Sequence, residues 1–207
     1  MKKGCILCLL ISVISLPLIA QNIIYSNLKE LLAQHGDTTA VLRVEKRSRN
    51  QIVLTGGADY RITAGDDELM CRRLKKRCFA VRDEKGDLYL NCRKLRYKKL
   101  RFGAWYAPAV QLGKNIYFCA MPLGSVIGGN FVEEDDVKLG GNIGDALAAS
   151  SLVTKRVCYE LNGETGKVDF LGKDKMLQLL ENYPELKQAY LKDDSQEAKH
   201  TFNYLLE

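Results

Sequence analysis

At 207 residues, 46% of them hydrophobic, the chain can bury a core without metals or dense disulfide stapling. Beyond the first twenty residues no segment has the roughly 20 consecutive apolar residues that a membrane span needs, which excludes a transmembrane segment in the mature chain. The formal net charge of +6 is unevenly spread: residues 72–101 hold thirteen Lys or Arg against Asp83, Glu84 and Asp87, a local excess of +10, and such an asymmetry attracts polyanions.

Lys2 and Lys3, the apolar run Ile6 to Leu16, and Leu16-Pro17-Leu18-Ile19-Ala20 ahead of Gln21 follow the order of a secretory signal peptide. Cys5 and Cys8 do not directly follow a small-residue cleavage site, which argues against lipoprotein attachment. The mature protein is expected to begin at Gln21, in the periplasm, at the outer-membrane periphery or outside the cell.

Leu28, Leu31 and Leu32 recur at helical spacing, with Asn27 and Glu30 as a capping pair and Gly36 as a stop, so residues 27–35 are predicted to form a helix. Val41 to Val44 and Gln51 to Leu54, separated by Ser48-Arg49-Asn50, read as a hairpin, and Tyr60 to Thr63 as a further short strand. Asp66 is placed to cap a helix with Met70, Cys71 and Leu74 on its inner face. Phe79–Arg82 and Leu88–Cys92 form a second hairpin, Ala109–Leu112 and Ile116–Ala120 a third, and residues 152–171 a fourth whose loop is Asn162 to Gly166.

After Gly172 the period becomes helical through Met176, Leu177 and Leu180. Pro184 restarts a helix, and Asp194 with Glu197 caps a last one carrying Ala198, Phe202, Leu205 and Leu206. The expected organisation is a signal peptide over 1–20, a β-rich domain over 21–171, and a helical segment over 172–207 packed on it. The fold class is α+β, with antiparallel hairpins making a curled sheet or small barrel flanked by an N-terminal helix and C-terminal helices.

Arg93-Lys94-Leu95-Arg96-Tyr97-Lys98-Lys99-Leu100-Arg101-Phe102 is the densest chemistry in the chain, with Trp105 and Tyr106 close behind. Its apolar positions change phase, which calls for a bulge or turn near Lys98-Lys99. Runs of this kind are more often a solvated sheet face than a ligand site. As a ligand site, Arg93, Lys94, Arg96, Lys98, Lys99 and Arg101 would take phosphate or sulfate groups, and Tyr97, Trp105 and Tyr106 would stack on sugars or bases. An exported protein meets lipopolysaccharide and acidic glycans rather than nucleic acid.

Other features read more plainly. Gly140, Gly144 and Ala148 suit close helix packing. The acids at 66–68 and 133–136 lack the alternating ligand pattern of a calcium loop, so no metal or other cofactor is expected. Cys71, Cys78, Cys92, Cys119 and Cys158 lie beyond the leader, an odd number with no Cys-x-x-Cys; buried free thiols are the first reading, and Cys71 with Cys78 is the nearest pair in sequence should a disulfide form. His35 and His200 carry no catalytic signature. A hydrolase acting on an envelope polymer and a protein–protein module with another envelope protein as partner are the alternatives to a binding or structural role.

The Asp87-Leu88-Tyr89-Leu90-Asn91-Cys92-Arg93-Lys94-Leu95 run and the Tyr183-Pro184-Glu185-Leu186 element, behind a secretion leader, resemble those of small uncharacterised exported proteins of Bacteroidota. The resemblance implies a cell-envelope protein and carries no functional residues with it.

Overall fold

The computed structural model describes residues 21–39, 41–48, 50–52, 57–98, 100–120, 157–193 and 202–206. The leader, Val53-Leu54, Lys99, residues 152–156, the Gly124–Ala149 segment with its acids, the Asp194–Glu197 cap and His200 lie outside them.

The chain opens with β1 (Asn22–Tyr25) and a short helix α1 (Leu28–Leu32). Its cap is the expected one: the Glu30 N–H donates to Asn27 Oδ1 at 2.9 Å, and the Glu30 carboxylate reaches back to the Ser26 N–H at 2.7 Å. That exchange satisfies donors that a helix start leaves orphaned. The stop differs from expectation, because Gln34 rather than Gly36 takes the left-handed conformation, at φ 51. Gly36 instead permits close approach, since a Cβ there would lie 2.7 Å from the Ile24 carbonyl oxygen.

Next come β2 (Asp37–Thr39), β3 (Arg43–Lys46), β4 (Tyr60–Thr63), the helix α2 (Glu68–Lys76), β5 (Ala80–Arg82) and β6 (Leu88–Asn91). A 3-10 turn at Cys92–Lys94 leads into β7 (Arg96–Tyr97) and β8 (Leu100–Arg101). Then follow β9 (Tyr106–Leu112), β10 (Asn115–Ala120), β11 (Val157–Leu161), β12 (Val168–Phe170), α3 (Lys173–Leu179) and α4 (Pro184–Lys192). The second, third and fourth hairpins stand where the period-two pattern placed them, as β5–β6, β9–β10 and β11–β12. The first does not. β3 pairs with β4, and residues 50–52 are helical. Ser48 and Gln51 exchange side-chain-to-backbone bonds at 2.9 and 3.3 Å, the reciprocal cap that starts a helix and overrides the β-branched reading. Asp67, not Asp66, caps α2, its carboxylate accepting from the Met70 N–H at 2.9 Å.

One ten-stranded antiparallel sheet runs β12-β11-β10-β9-β6-β5-β1-β2, and the β3–β4 hairpin joins it where β4 meets β9. The sheet is not closed, so of the two expected architectures the curled sheet stands. Its ends, β2 and β12, are three residues each, short enough to discourage further pairing. β10 stays on β9 as far as Phe118 opposite Ala109, and β4 takes up that side of β9 at Tyr60 opposite Tyr106. Pro108 lies between the two partners, where a missing N–H is tolerated.

Both faces of the central strands are buried. Along β10, Ile116, Phe118 and Ala120 enter one core with Leu88, Leu90, Tyr97 and Phe102. Tyr117 and Cys119 point the other way, into a second core with Met176, Leu180, Phe202 and Leu205. A third cluster beneath α2 joins Leu74 to Ile62, Val81, Tyr89 and Tyr106. Strict alternation of side chains across the sheet makes this three-layer arrangement possible. Glu160 ties α3 to the sheet from a buried position: its carboxylate accepts from Asn115 Nδ2 at 2.7 Å and Tyr117 OH at 3.1 Å, and pairs with Lys175.

Cys119 and Cys158 face each other across β10 and β11 with Cα atoms 4.3 Å apart, and form a disulfide. The close, non-hydrogen-bonded pair of an antiparallel ladder brings two thiols together in this way. The Cys71–Cys78 pairing is therefore corrected, for both are free. Cys71 sits within α2, its sulfur against Ala64 and Gly65, while Cys78 points into the core against the Tyr25 and Ala80 carbonyls.

Candidate functional site

The basic segment folds as predicted at its middle and differently at its aromatics. β7 and β8 form a separate two-stranded hairpin, turned at Lys98 with φ 51. Leu95, Tyr97 and Phe102 face inward. Tyr159 receives two of them, the Phe102 ring at 4.8 Å and the Tyr97 ring at 5.6 Å between centroids. Contacts of this geometry contribute about 0.5–1.5 kcal/mol each beyond the area they bury. The hairpin is thus fastened to the sheet by its apolar side, and Arg93, Lys94, Arg96, Lys98 and Arg101 are left exposed on the outside. Lys99 lies outside the described residues.

Tyr97 and Tyr106 are both buried, at 5% and 2% exposure, so neither presents a face to a ligand. Tyr106 instead donates its hydroxyl hydrogen to the Leu74 carbonyl at 2.7 Å. Trp105 alone of the three aromatics is partly exposed.

The register sets Arg96 directly opposite Arg101. Like charges in that position are destabilising, and neither guanidinium makes an ion pair among the described residues. Lys98 adds a third cation at the tip, 5.7 Å above the Tyr97 ring. A non-glycine residue in the left-handed region carries a further local cost.

A second basic segment joins this one through Asn91, which is 1% exposed. Its Nδ2 donates to the carbonyls of Leu74 at 3.1 Å and Cys78 at 2.9 Å, and its Oδ1 accepts from the Arg93 N–H at 3.1 Å. The carboxyl end of α2, with exposed Lys75, Lys76 and Arg77, is thereby locked beside the start of the Arg93–Arg101 run. Asn91 so ties Leu74, seventeen residues before it, to the start of the Arg93–Arg101 run.

The other flank was not legible in the sequence. Arg61 of β4 and Arg47 after β3 place their guanidinium carbons 5.6 and 5.4 Å from the Trp105 ring centroid, within the range of cation–π attraction. Arg61 is exposed. Arg47 is buried, donating to the carbonyls of Ala58 at 2.7 Å and Gln51 at 2.9 Å. Burial holds its pKa below the usual range, and the neighbouring Asp59 opposes that shift. Burial likewise pushes the Cys92 thiol up, with Asp59 adding to the effect.

Trp105 has φ 80, a conformation costly for a bulky residue. The Cys92 N–H fixes it by donating to the Trp105 carbonyl at 2.9 Å, and the Ala58 N–H donates to Ala104 at 3.1 Å. Gly57 makes that approach possible, at φ +84 with a Cβ that would fall 2.2 Å from the Ala104 oxygen.

No group of three or more metal-ligating side chains is present among the described residues, and no helix there is long and apolar enough to cross a membrane. The site is therefore an exposed cationic surface on an open antiparallel α+β domain, with one strained tryptophan at its margin.

The chain belongs to a family of unknown function, DUF6563, whose model matches residues 23–207. Comparison with curated proteins and with solved structures finds no match.

Proposed function

We propose that this protein is an exported cell-envelope component that binds anionic envelope polymers, acidic or sulfated glycan and lipopolysaccharide, through the outer side of the β7–β8 hairpin. The observation that carries the reading is the Arg96–Arg101 pair: two exposed arginines directly opposite in the β7–β8 register, neither in an ion pair among the described residues. A bridging sulfate, phosphate or carboxylate relieves that repulsion and accepts from both planar forks. Lys98 and the Lys75–Arg77 end of α2 extend the positive field on either side. Export is supported by the leader of residues 1–20, by a family match that starts just past it, and by a cross-strand disulfide of the kind that persists in oxidising compartments.

The test is binding of the mature protein to lipopolysaccharide and to a sulfated glycan at low and high salt. A variant with Arg96, Lys98, Lys99 and Arg101 changed to Ser runs beside it, once its far-UV circular dichroism matches the parent. Saturable binding that weakens with salt and disappears in the variant is expected. Absence of binding, or equal binding by the variant, would make the hairpin a solvated face.

A further inference from the structure

We infer that Lys175, Asn115 and Glu160 form a self-modification site, at which the Lys175 amine joins the Asn115 side-chain carbon in an intramolecular amide and releases ammonia.

The three side chains meet through one carboxylate. Glu160, 4% exposed, accepts through Oε1 from Asn115 Nδ2 at 2.7 Å and from Tyr117 OH at 3.1 Å, while its Oε2 pairs with Lys175 Nζ. Amine and carboxamide are thus held on the two oxygens of the same group. The fold sets this meeting. Tyr117 of β10 lies directly opposite Glu160 of β11, alternation puts Asn115 on the same face of the sheet, and Lys175 reaches that face from α3. The Asn115 amide is held at its other end too, since its Oδ1 accepts from the Gly163 N–H at 3.3 Å. Only glycine seats that donor, because a Cβ at Gly163 would fall 1.9 Å from the Lys114 carbonyl oxygen. An ion pair accounts for Lys175 and Glu160, but not for an amide gripped at both its nitrogen and its oxygen.

The arrangement supplies a nucleophile, a proton carrier, an electrophile and an N–H donor for the oxygen that gains charge. Burial penalises a charged pair, and passing one proton from Lys175 to Glu160 leaves a neutral amine beside a carboxylic acid. The Nζ lone pair attacks Asn115 Cγ, and the charge that develops on Oδ1 is stabilised by the Gly163 N–H. The Cγ–Nδ2 bond then breaks as Glu160 gives its proton to the departing nitrogen. Glu160 next takes the surplus proton from the new amide nitrogen and passes it to the ammonia, which leaves as ammonium. The Lys175 side chain is 42% exposed, so the product has a way out to solvent. The step consumes no oxidant, reductant or cofactor. Tyr117 does not react; its hydroxyl is a positioning group for the Glu160 carboxylate.

Intact-mass spectrometry of the folded, mature protein, followed by tryptic mapping, tests this. After reduction of the Cys119–Cys158 bridge, the protein should be lighter than its sequence by one ammonia, about 17 Da. Cyclisation of an N-terminal Gln21 gives the same loss, so the digest decides. Trypsin should fail to cut after Lys175, and the peptides carrying Asn115 and Lys175 should run as one linked species. Lys175→Arg keeps a cation beside Glu160 but no amine nucleophile, and Glu160→Gln keeps an acceptor for Asn115 but no proton carrier. Each variant, once its far-UV circular dichroism matches the parent, should give the two peptides separately. Separate, unmodified Asn115 and Lys175 peptides from the folded parent overturn the proposal. So does a link that survives Lys175→Arg, which would place the bond elsewhere. Conversion of Asn115 to a carboxylate with Lys175 still free overturns it as well, because water rather than the amine then reaches the carbon.

Discussion

Removing the Asn91 side chain tests whether the two basic segments are held together as described. The helix α2 ends with its Arg73 carbonyl taken by the N–H groups of Arg77 and Cys78, which leaves the Leu74 carbonyl without a backbone donor. Such orphan carbonyls are usual at a helix end and need a partner when buried. Leu74 has two, Asn91 Nδ2 at 3.1 Å and Tyr106 OH at 2.7 Å. Asn91→Ala removes one of these and also strips the Cys78 carbonyl and the Arg93 N–H of the Asn91 partner. With a buried, newly unsatisfied group costing about 1–3 kcal/mol and an ordinary lost bond about 1, the expected loss is about 3 kcal/mol. Tyr106→Phe alone should cost about 1 kcal/mol, because Asn91 still serves Leu74. The double variant orphans the Leu74 carbonyl completely, so its loss should exceed the sum of the singles by about 1–2 kcal/mol. Urea unfolding followed by far-UV circular dichroism measures all four proteins. Additive losses, or an Asn91→Ala effect below about 0.5 kcal/mol, the range of an ordinary surface substitution, would refute the shared-acceptor geometry.

Two further predictions concern the cysteines. The Cys119–Cys158 bridge closes a separation of 39 residues, for which chain entropy gives about 4 kcal/mol of stabilisation. Reductant should lower the urea midpoint accordingly, and the unfolded mature protein should titrate three thiols; five thiols with an unmoved midpoint would exclude the bridge. Burial lifts the Cys78 thiol from its usual 9.0 to about 11. The native state therefore keeps it neutral while the unfolded chain ionises first. Its contribution is intact below pH 9 and is lost as pH rises towards 11, by up to about 3 kcal/mol at 1.36 kcal/mol per unit. Cys78→Ala should flatten that part of the stability profile, and an unchanged slope would count against the buried thiol.

Local pattern carried most of the sheet. The β5–β6, β9–β10 and β11–β12 hairpins follow from period-two alternation around turn residues, and the Asn27 cap and the first-turn place of Pro184 follow from helix-end chemistry. The basic run also carried its own division of labour: Leu95 and Tyr97 share a parity opposite to Arg96 and Lys98, so Tyr97 goes inward with Leu95 as the charges go out. What alternation could not supply was pairing at a distance. Tyr60 meets Tyr106 across 46 positions, and that contact, with the Ala58–Ala104 bond, brings Arg61 to Trp105. Nearness in sequence misled for Cys71 and Cys78, whereas the true pair was selected by the β10–β11 register. Ser48-Arg49-Asn50-Gln51 did hold a legible signal, a capping box, which outweighs the β-branched residues that follow it.

The polar groups of this protein fall into two kinds, and the difference bears on function. Glu160, Asn91 and Arg47 are buried, and each is bonded to identified partners, as unburdened folding requires. Arg96 and Arg101 are the reverse, placed opposite each other where a single acidic residue would improve the fold. Arg96→Glu replaces a repulsive cross-strand pair by an attractive one and should stabilise the domain by about 0.5–1 kcal/mol. The same change puts a carboxylate where the polymer's anion would sit, and should remove binding more thoroughly than Arg96→Ser. A variant that gains stability and loses binding would show that the hairpin keeps its two arginines at the expense of the fold, as binding surfaces commonly do. A variant that gains stability and still binds would move the polymer site off the hairpin, to the Lys75–Arg77 end of α2.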